Sequence, residues 1–289
     1  MMTLKEKINN RKFIVTAEIG PPKGTEIKPL LDEALLLKDK VDAINVTDSQ
    51  SAVMRLGSLA VSRLLKEEGI EPVFQLTCRD RNRIALQSDA LSAAVLGIEN
   101  ILVLTGDHPS RGDHPGAKAV FDLDSVQLIS ALKGLEKGKD LSGKELKGAP
   151  KFCIGAVVNP GADPIEPELI KFEKKIEAGA EFFQTQGVYD AGAFAKFIDM
   201  VKGHNARILA GIILIKSPDM ARFMNKNVAG IFIPDNLIKE IESAADRQQK
   251  AAEIAARTIR ELKGLAQGVH IMTLGWNKLI PTILEKAGL

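Results

Sequence analysis

Aromatic residues and cysteine are scarce in this chain. It carries one tryptophan, one tyrosine and eleven phenylalanines, 4% of its residues, so a site built on stacked rings has little to draw on. Cys78 and Cys153 are the only cysteines, each inside an apolar, strand-like run. No disulfide is expected, and a reducing cytoplasm is the expected compartment. Without clustered histidines, two thiols make a poor metal site, and none is expected. A formal net charge of +2 and the lack of a basic arm argue against a nucleic-acid partner. No apolar run approaches the roughly 20 residues that span a bilayer, so no membrane insertion is expected. The opening "MMTLKEKINNRK" is charged and lacks the apolar core of a secretory signal. The Gly-rich dinucleotide fingerprint is missing after the first strand, where "EIGPPKG" stands, and there is no P-loop.

What is present is a regular alternation. With 289 residues, 45% hydrophobic and 26% charged, the chain can bury one large core or two smaller ones. Eight short runs rich in Val, Ile, Leu and Phe read as buried parallel strands: "KFIVTAEI", "DAINVTDS", "EPVFQLTC", "ENILVLTG", "KFCIGAVV", "EFFQTQGVY", "RILAGIILI" and "GVHIMTL". Between them, residues 26–40, 51–68, 81–96, 123–135, 166–178, 191–202 and 235–263 carry apolar side chains at helical spacing, and a last helix is expected over 277–287. In 166–178, Leu169, Phe172 and Ile176 form one stripe. Gly69, Gly97 and Gly179 stand where helix C-caps fall. Eight such units predict a single (β/α)8 TIM-type barrel over 1–289, with an open doubly wound sheet as the rival. Two segments break the rhythm. Residues 106–121 form a long polar loop after strand four, on the catalytic face. Residues 136–150 precede strand five and read as a solvated excursion.

A barrel collects its site from the carboxyl ends of its strands. Those ends offer Glu18, Thr47, Asp48, Gln75, Thr77, Thr105, Gly106, Asp107, Asn159, Gln184, Gln186 and Lys216. The set is rich in amides and hydroxyls, with two or three carboxylates and one amine. It lacks a metal triple or a nucleophile–base pair, and it suits a large heteroaromatic ligand with one carboxylate moving a proton. Gln184 and Gln186 are two apart: either both point inward, or a bulge separates them.

The stretches "TAEIGPPKG", "NVTDS", "FQLTCRDRN", "NILVLTGDHP" and "KKIEAGAEFFQTQGVYD", with "GAVVNP" and "AGIILI" in support, follow one another at successive strand ends. In that order and spacing the sequence resembles the methylenetetrahydrofolate reductase family over nearly its whole length. The resemblance implies a flavin-bearing barrel that reduces 5,10-methylenetetrahydrofolate to 5-methyltetrahydrofolate. It casts Glu18 as the acid that protonates the leaving nitrogen and Asp107 as a fixed negative charge beside flavin and pterin. Gln186 matches the pterin-binding glutamine, with Gln184 as its neighbour. Thr47, Gln75, Leu104, Thr105, Gly106 and Asp107 match positions that line the flavin. Lys175 matches a lysine at its phosphate region, and Ala117 and Lys118 fall where the cofactor's far end is wrapped. Asn159 stands at the family's tyrosine and is counted with the flavin set.

The chain departs from the family pattern mainly by losing rings. "AEIGPP" replaces an aromatic-rich segment, Asn159-Pro160 replaces Tyr-Pro, Asp163 replaces a histidine, and "TQGVYD" replaces "TQFFFD". The family's substrate-packing phenylalanine after strand seven has no counterpart, and Pro218 stands near that position. Stacking surface for nicotinamide is therefore thin, which leaves three readings: a rearranged NAD(P)H site, electrons from an electron-transferring partner subunit, or FMN in place of FAD. FAD is the expected flavin, and a homo-oligomer or a partnered complex the expected assembly. Two rivals stand beside this reading: an aldolase barrel forming a Schiff base through Lys216, and a flavin-free pterin-binding subunit of a methyl-transfer complex.

Overall fold

The computed structural model describes residues 2–10 and 12–289. Its eight strands are β1 (Ile14–Ile19), β2 (Ala43–Val46), β3 (Pro72–Thr77), β4 (Asn100–Leu104), β5 (Cys153–Val158), β6 (Phe182–Gly187), β7 (Arg207–Ile213) and β8 (Gly268–Met272). They pair in parallel in chain order, and β8 returns to β1 with Ile14 opposite Gly268, closing the barrel. The expected (β/α)8 architecture is what the chain adopts, and all eight expected strands are present.

The helices are α1 (Leu4–Asn9), α2 (Lys28–Leu37), α3 (Ser58–Glu67), α4 (Arg83–Val95), α5 (Ser125–Glu136), α6 (Glu166–Ala178), α7 (Ala191–Val201), α8 (Pro218–Asn227), α9 (Asp235–Glu242), α10 (Arg247–Leu262) and α11 (Ile280–Ala287). Among the described residues no helix is long and apolar enough to cross a membrane. Gly69, Gly97 and Gly179 take left-handed backbone just past α3, α4 and α6, as their placement implied.

Three helical expectations need correction. The helix expected over 51–68 starts only at Ser58, because Ser49, Ser51 and Ala52 adopt left-handed backbone that an α-helix excludes. The helix expected over 235–263 is broken into α9 and α10. Asp246 opens the second piece, its carboxylate accepting from the Gln248 and Gln249 amides. Helices α1 and α8 were not expected. Both begin on local signals: a Thr3–Glu6 capping box, and Ser217 followed by Pro218 at the first helical position.

Strand alternation divides the barrel interior into layers. Ile14, Ala43, Val73, Leu102, Cys153, Phe182 and Leu209 form an apolar cluster, which Leu4 and Ile8 of α1 join. Phe182 fills the space opposite Gly155, where an added Cβ would lie 2.2 Å from its ring. Only glycine lets the barrel close there. Two residues further along, the same inward rows carry buried Thr16, Asn45, Gln184 and His270. Two further still, they reach Glu18 and Gln186.

Candidate active site

A cavity of about 460 Å³ opens at the carboxyl ends of the strands. Glu18, Gln75, Leu104, Thr105, Gly106, Asp107, Asn159, Lys175, Gln184 and Gln186 all line it. Three expected residues do not. Thr47 is buried at the end of β2, its hydroxyl without a hydrogen-bond partner among the described residues, outside the cavity lining. Ala117 and Lys118 are exposed on the loop after β4.

Glu18 faces inward because it shares the row of Ile14 and Thr16 on β1. Its side chain is 13% exposed. Gln50 Nε2 donates to Oε1 at 3.2 Å and Gln75 Nε2 to Oε2 at 3.5 Å. His270 Nε2 lies 3.7 Å from Oε2. The carboxylate thus sits inside a ring of nitrogen groups at the floor of the cavity.

Lys175 occupies the opposite wall. It lies three residues after Phe172 on α6, so the buried stripe of that helix carries it inward. It is 5% exposed, and Nζ donates to the Val157 carbonyl at 2.7 Å. No carboxylate lies within ion-pair distance of it among the described residues. Burial pushes its pKa below the ordinary lysine value, and Glu168 offsets only part of that. The result is a buried amine, hydrogen-bonded to a carbonyl, on the cavity wall.

The β4 end supplies the cavity's lip. Gly106 has φ +88°, and an added Cβ would come within 3.1 Å of Arg79 Cβ, so conformation and space both call for glycine. Asp107 is exposed, and its carbonyl accepts from Arg79 Nη1 at 3.4 Å. Arg79, 3% exposed, also donates to the Ser49 carbonyl at 3.2 Å, tying the loops after β2 and β4 together. Its hydrogen bonds with Asp80 raise its pKa above the usual arginine value. Asp48 accepts from the Thr77 amide and hydroxyl and pairs with Arg81 at 2.7 Å, which pins β2 to β3. At the outer edge, Asp113 accepts from the Met54 amide at 3.0 Å and pairs with Lys23, clasping three loops.

The two glutamines divide the work. Gln184 points inward one layer below the mouth; Asn45 and Thr16 engage its amide from 2.7 to 3.3 Å. Gln186 stands at the mouth. Its Oε1 accepts from the Gly187 amide, and its Nε2 makes no hydrogen bond among the described residues. The register against β7 shifts between Gln184 and Gly187, so both features expected as alternatives occur together. Asn159 lines the cavity, but its side chain accepts from the Gly161 amide and donates to the Ala229 carbonyl, holding its own loop.

Lys216 lies outside the cavity lining. Its Nζ donates to the Leu274 carbonyl at 2.8 Å and sits 4.7 Å above the Trp276 ring, so the lysine of the Schiff-base rival is turned to other partners and does not line this cavity. His270 was not anticipated. The signal was there: in "GVHIM" it has the parity of Met272 and sits mid-strand, where alternation points it into the barrel.

A closed eight-stranded barrel with a polar cavity at its strand ends places the chain among (β/α)8 barrel proteins. Structural likeness supports the fold alone: a solved tryptophan synthase structure from Mycobacterium tuberculosis has a TM-score of 0.55 at 11% identity, covering 100% of this chain and 96% of that one. The family model for methylenetetrahydrofolate reductase matches residues 3–288, and the chain belongs to that family. "Methylenetetrahydrofolate reductase 2" of Schizosaccharomyces pombe is 26% identical over 100% of this chain and 47% of its own length. "5,10-methylenetetrahydrofolate reductase" of Pectobacterium carotovorum subsp. carotovorum is 29% identical over 70% of this chain and 64% of its own. The chain thus spans less than two thirds of either relative.

Proposed function

We propose that the chain works as one barrel domain over 1–289, in the cytoplasm, reducing 5,10-methylenetetrahydrofolate to 5-methyltetrahydrofolate with a bound flavin. The observation that carries this reading is the pairing, across one cavity, of the inward-facing Glu18 with the buried Lys175. Lys175 fits a flavin phosphate: an anion would restore the solvation that burial removes from its ammonium. The glycine lip at Gly106 fits the close approach of a planar ring, with Leu104, Thr105 and Gln75 around it. When bound, the flavin supplies the hydride that converts the one-carbon bridge to a methyl group. FAD is the form proposed, with FMN as the smaller alternative.

The chain's own residues then have separable tasks. Gln186, with its free amide hydrogens, orients the pterin edge. Glu18 protonates the nitrogen that leaves when the methylene bridge opens, a step that needs a general acid within reach of the substrate. The nitrogen donors around Glu18 stabilise the carboxylate that this leaves behind. Asp107 places a negative charge at the lip, which favours the cationic iminium of the opened substrate. Gln184 acts from one layer down by holding the interior network.

Electron supply has two readings. The family points to NAD(P)H. A partner redox subunit is the second reading, favoured by the cavity wall: no Phe, Tyr or Trp lines it among the described residues, so a nicotinamide would find none of those rings to stack on. Anaerobic titration of the flavin-loaded protein with NADH, NADPH and reduced ferredoxin decides between them. Bleaching of the flavin by one donor, followed by reoxidation with methylenetetrahydrofolate, is the expected result. Failure of the purified chain to bind any flavin would overturn the proposal in favour of a flavin-free pterin-binding subunit.

A further inference from the structure

The buried polar layer of the barrel ends at Glu18. Asn45 Nδ2 donates to Gln184 Oε1 at 2.7 Å, and Gln184 Nε2 returns a bond to Asn45 Oδ1 at 3.1 Å. This reciprocal pair orients both amides. The remaining Gln184 Nε2 hydrogen reaches Thr16 Oγ1 at 3.3 Å. Thr16 then has one hydrogen to give. His270 Nδ1 lies 2.9 Å away and the Val269 carbonyl 3.4 Å away, so the shorter bond to Nδ1 wins. With that hydrogen assigned to the nearer partner, Nδ1 accepts and the imidazole proton falls on Nε2, 3.7 Å from Glu18 Oε2. The opposite tautomer would aim a lone pair at the carboxylate oxygen.

We infer that Asn45, Gln184 and Thr16 form a hydrogen-bonded relay that locks His270 as the Nε2–H tautomer, making His270 the positioning residue for Glu18. Its Nε2–H faces Oε2 across 3.7 Å, too long for a hydrogen bond but close enough for its dipole to favour negative charge on that oxygen, to which Gln75 also donates; Oε1, which accepts from Gln50 at 3.2 Å, is left to carry the proton that goes to substrate. As that proton departs, the donors on Oε2 stabilise the charge that forms. All four relay residues are at most 3% exposed. They come from β1, β2, β6 and β8, so the tautomer is decided by barrel closure and not by any local motif.

The inference rests on the reading of Glu18 as the acid, and its test separates the two. Nitrogen-15 NMR of the histidine-labelled full chain reads the tautomer directly, with His270→Gln identifying the resonance among four histidines. The expected result is Nε2–H in the parent, loss of that pattern in Thr16→Val, and its retention in Thr16→Ser. In stopped-flow measurements, His270→Leu should lower the maximal rate of flavin reoxidation by methylenetetrahydrofolate about tenfold to a hundredfold with little change in KM. His270→Gln, whose amide still donates, should recover most of it, and Thr16→Val should follow His270→Leu in direction. An Nδ1–H tautomer in the parent, or an unaltered tautomer in Thr16→Val, overturns the relay. A rate loss carried entirely by KM overturns the positioning role. If the tautomer responds as stated but no variant or parent reduces methylenetetrahydrofolate, the relay stands and the functional reading of Glu18 falls.

Discussion

The two ends of the barrel interior are built from the same strands and differ in everything else. At the amino end, Ile14, Ala43, Val73 and Phe182 pack with Leu4 and Ile8 into an apolar plug. At the carboxyl end, the same rows present Glu18, Gln75 and Gln186 to a cavity. Between them lies a thin layer of paired polar groups. Parity along a strand decides that a side chain points inward, and height along the barrel axis decides what is asked of it. At the bottom that is volume, in the middle satisfied hydrogen bonds, and at the top unspent ones.

The comparison breaks most sharply at the top. Glu18→Gln keeps the side chain's size and one acceptor oxygen and removes the proton, so folate reduction should fall by about 10²–10⁴. The loss should be confined to that step, with donor-to-flavin transfer close to the parent's. Rapid-mixing absorbance of the flavin resolves the two. Reoxidation at the parent rate would return Glu18 to a strand-end carboxylate with no chemical role.

At the bottom, Phe182→Ala should act on stability and not on chemistry. Its ring is fully buried beside Gly155, and truncation should cost about 3–5 kcal/mol in denaturant unfolding. A loss under 1 kcal/mol would mean that the plug is not tightly packed.

Lys175 sharpens the contrast because its two effects should have opposite signs. Lys175→Met removes a desolvated charge, so the ligand-free protein should gain about 1 kcal/mol, roughly 2 °C in melting temperature. Flavin affinity should fall about 10- to 100-fold for a lost charge-assisted bond to phosphate. The burial cost is full below the lysine's lowered native pKa, and it is relieved as pH rises from there towards the ordinary lysine value. The stability gap between variant and parent should therefore narrow in alkaline buffer. A flavin that binds equally to both proteins would remove Lys175 from the site.

The smallest effect is expected at the exposed lip. Asp107→Asn removes charge where water screens it, and should slow both half-reactions by about fivefold. An effect limited to one half-reaction would show that the residue's charge is not shared between them.

Much of this was legible beforehand, and the reasons are specific. Buried parallel strands must be apolar on both faces, which made all eight visible, and family motifs at their ends named Glu18, Asp107 and Gln186. Helix boundaries were less legible where turn chemistry competed with periodicity. The left-handed backbone at Ser51 and Ala52 has no glycine to announce it. Asp246 inside an apolar-periodic stretch was a cap that the period concealed. Lys175 was named by the family resemblance, and its spacing from Phe172 on α6 gives the physical reason that it is buried. His270 was missed because a lone histidine in a strand says nothing until its neighbours are known.

By itself, the amino-acid sequence determined the alternation of strands and helices, the inward parity of each strand residue and the glycines that closure requires, because these follow from backbone geometry and apolar patterning along a few consecutive residues. Only the tertiary structure decided which inward groups meet. Thr16, Asn45, Gln184 and His270 lie on four strands up to 254 residues apart, and Asn159, although at a strand end, turns out to hold its own loop. Hydrogen bonds reach about 3 Å, so the partner of a buried polar group is set by how the barrel closes.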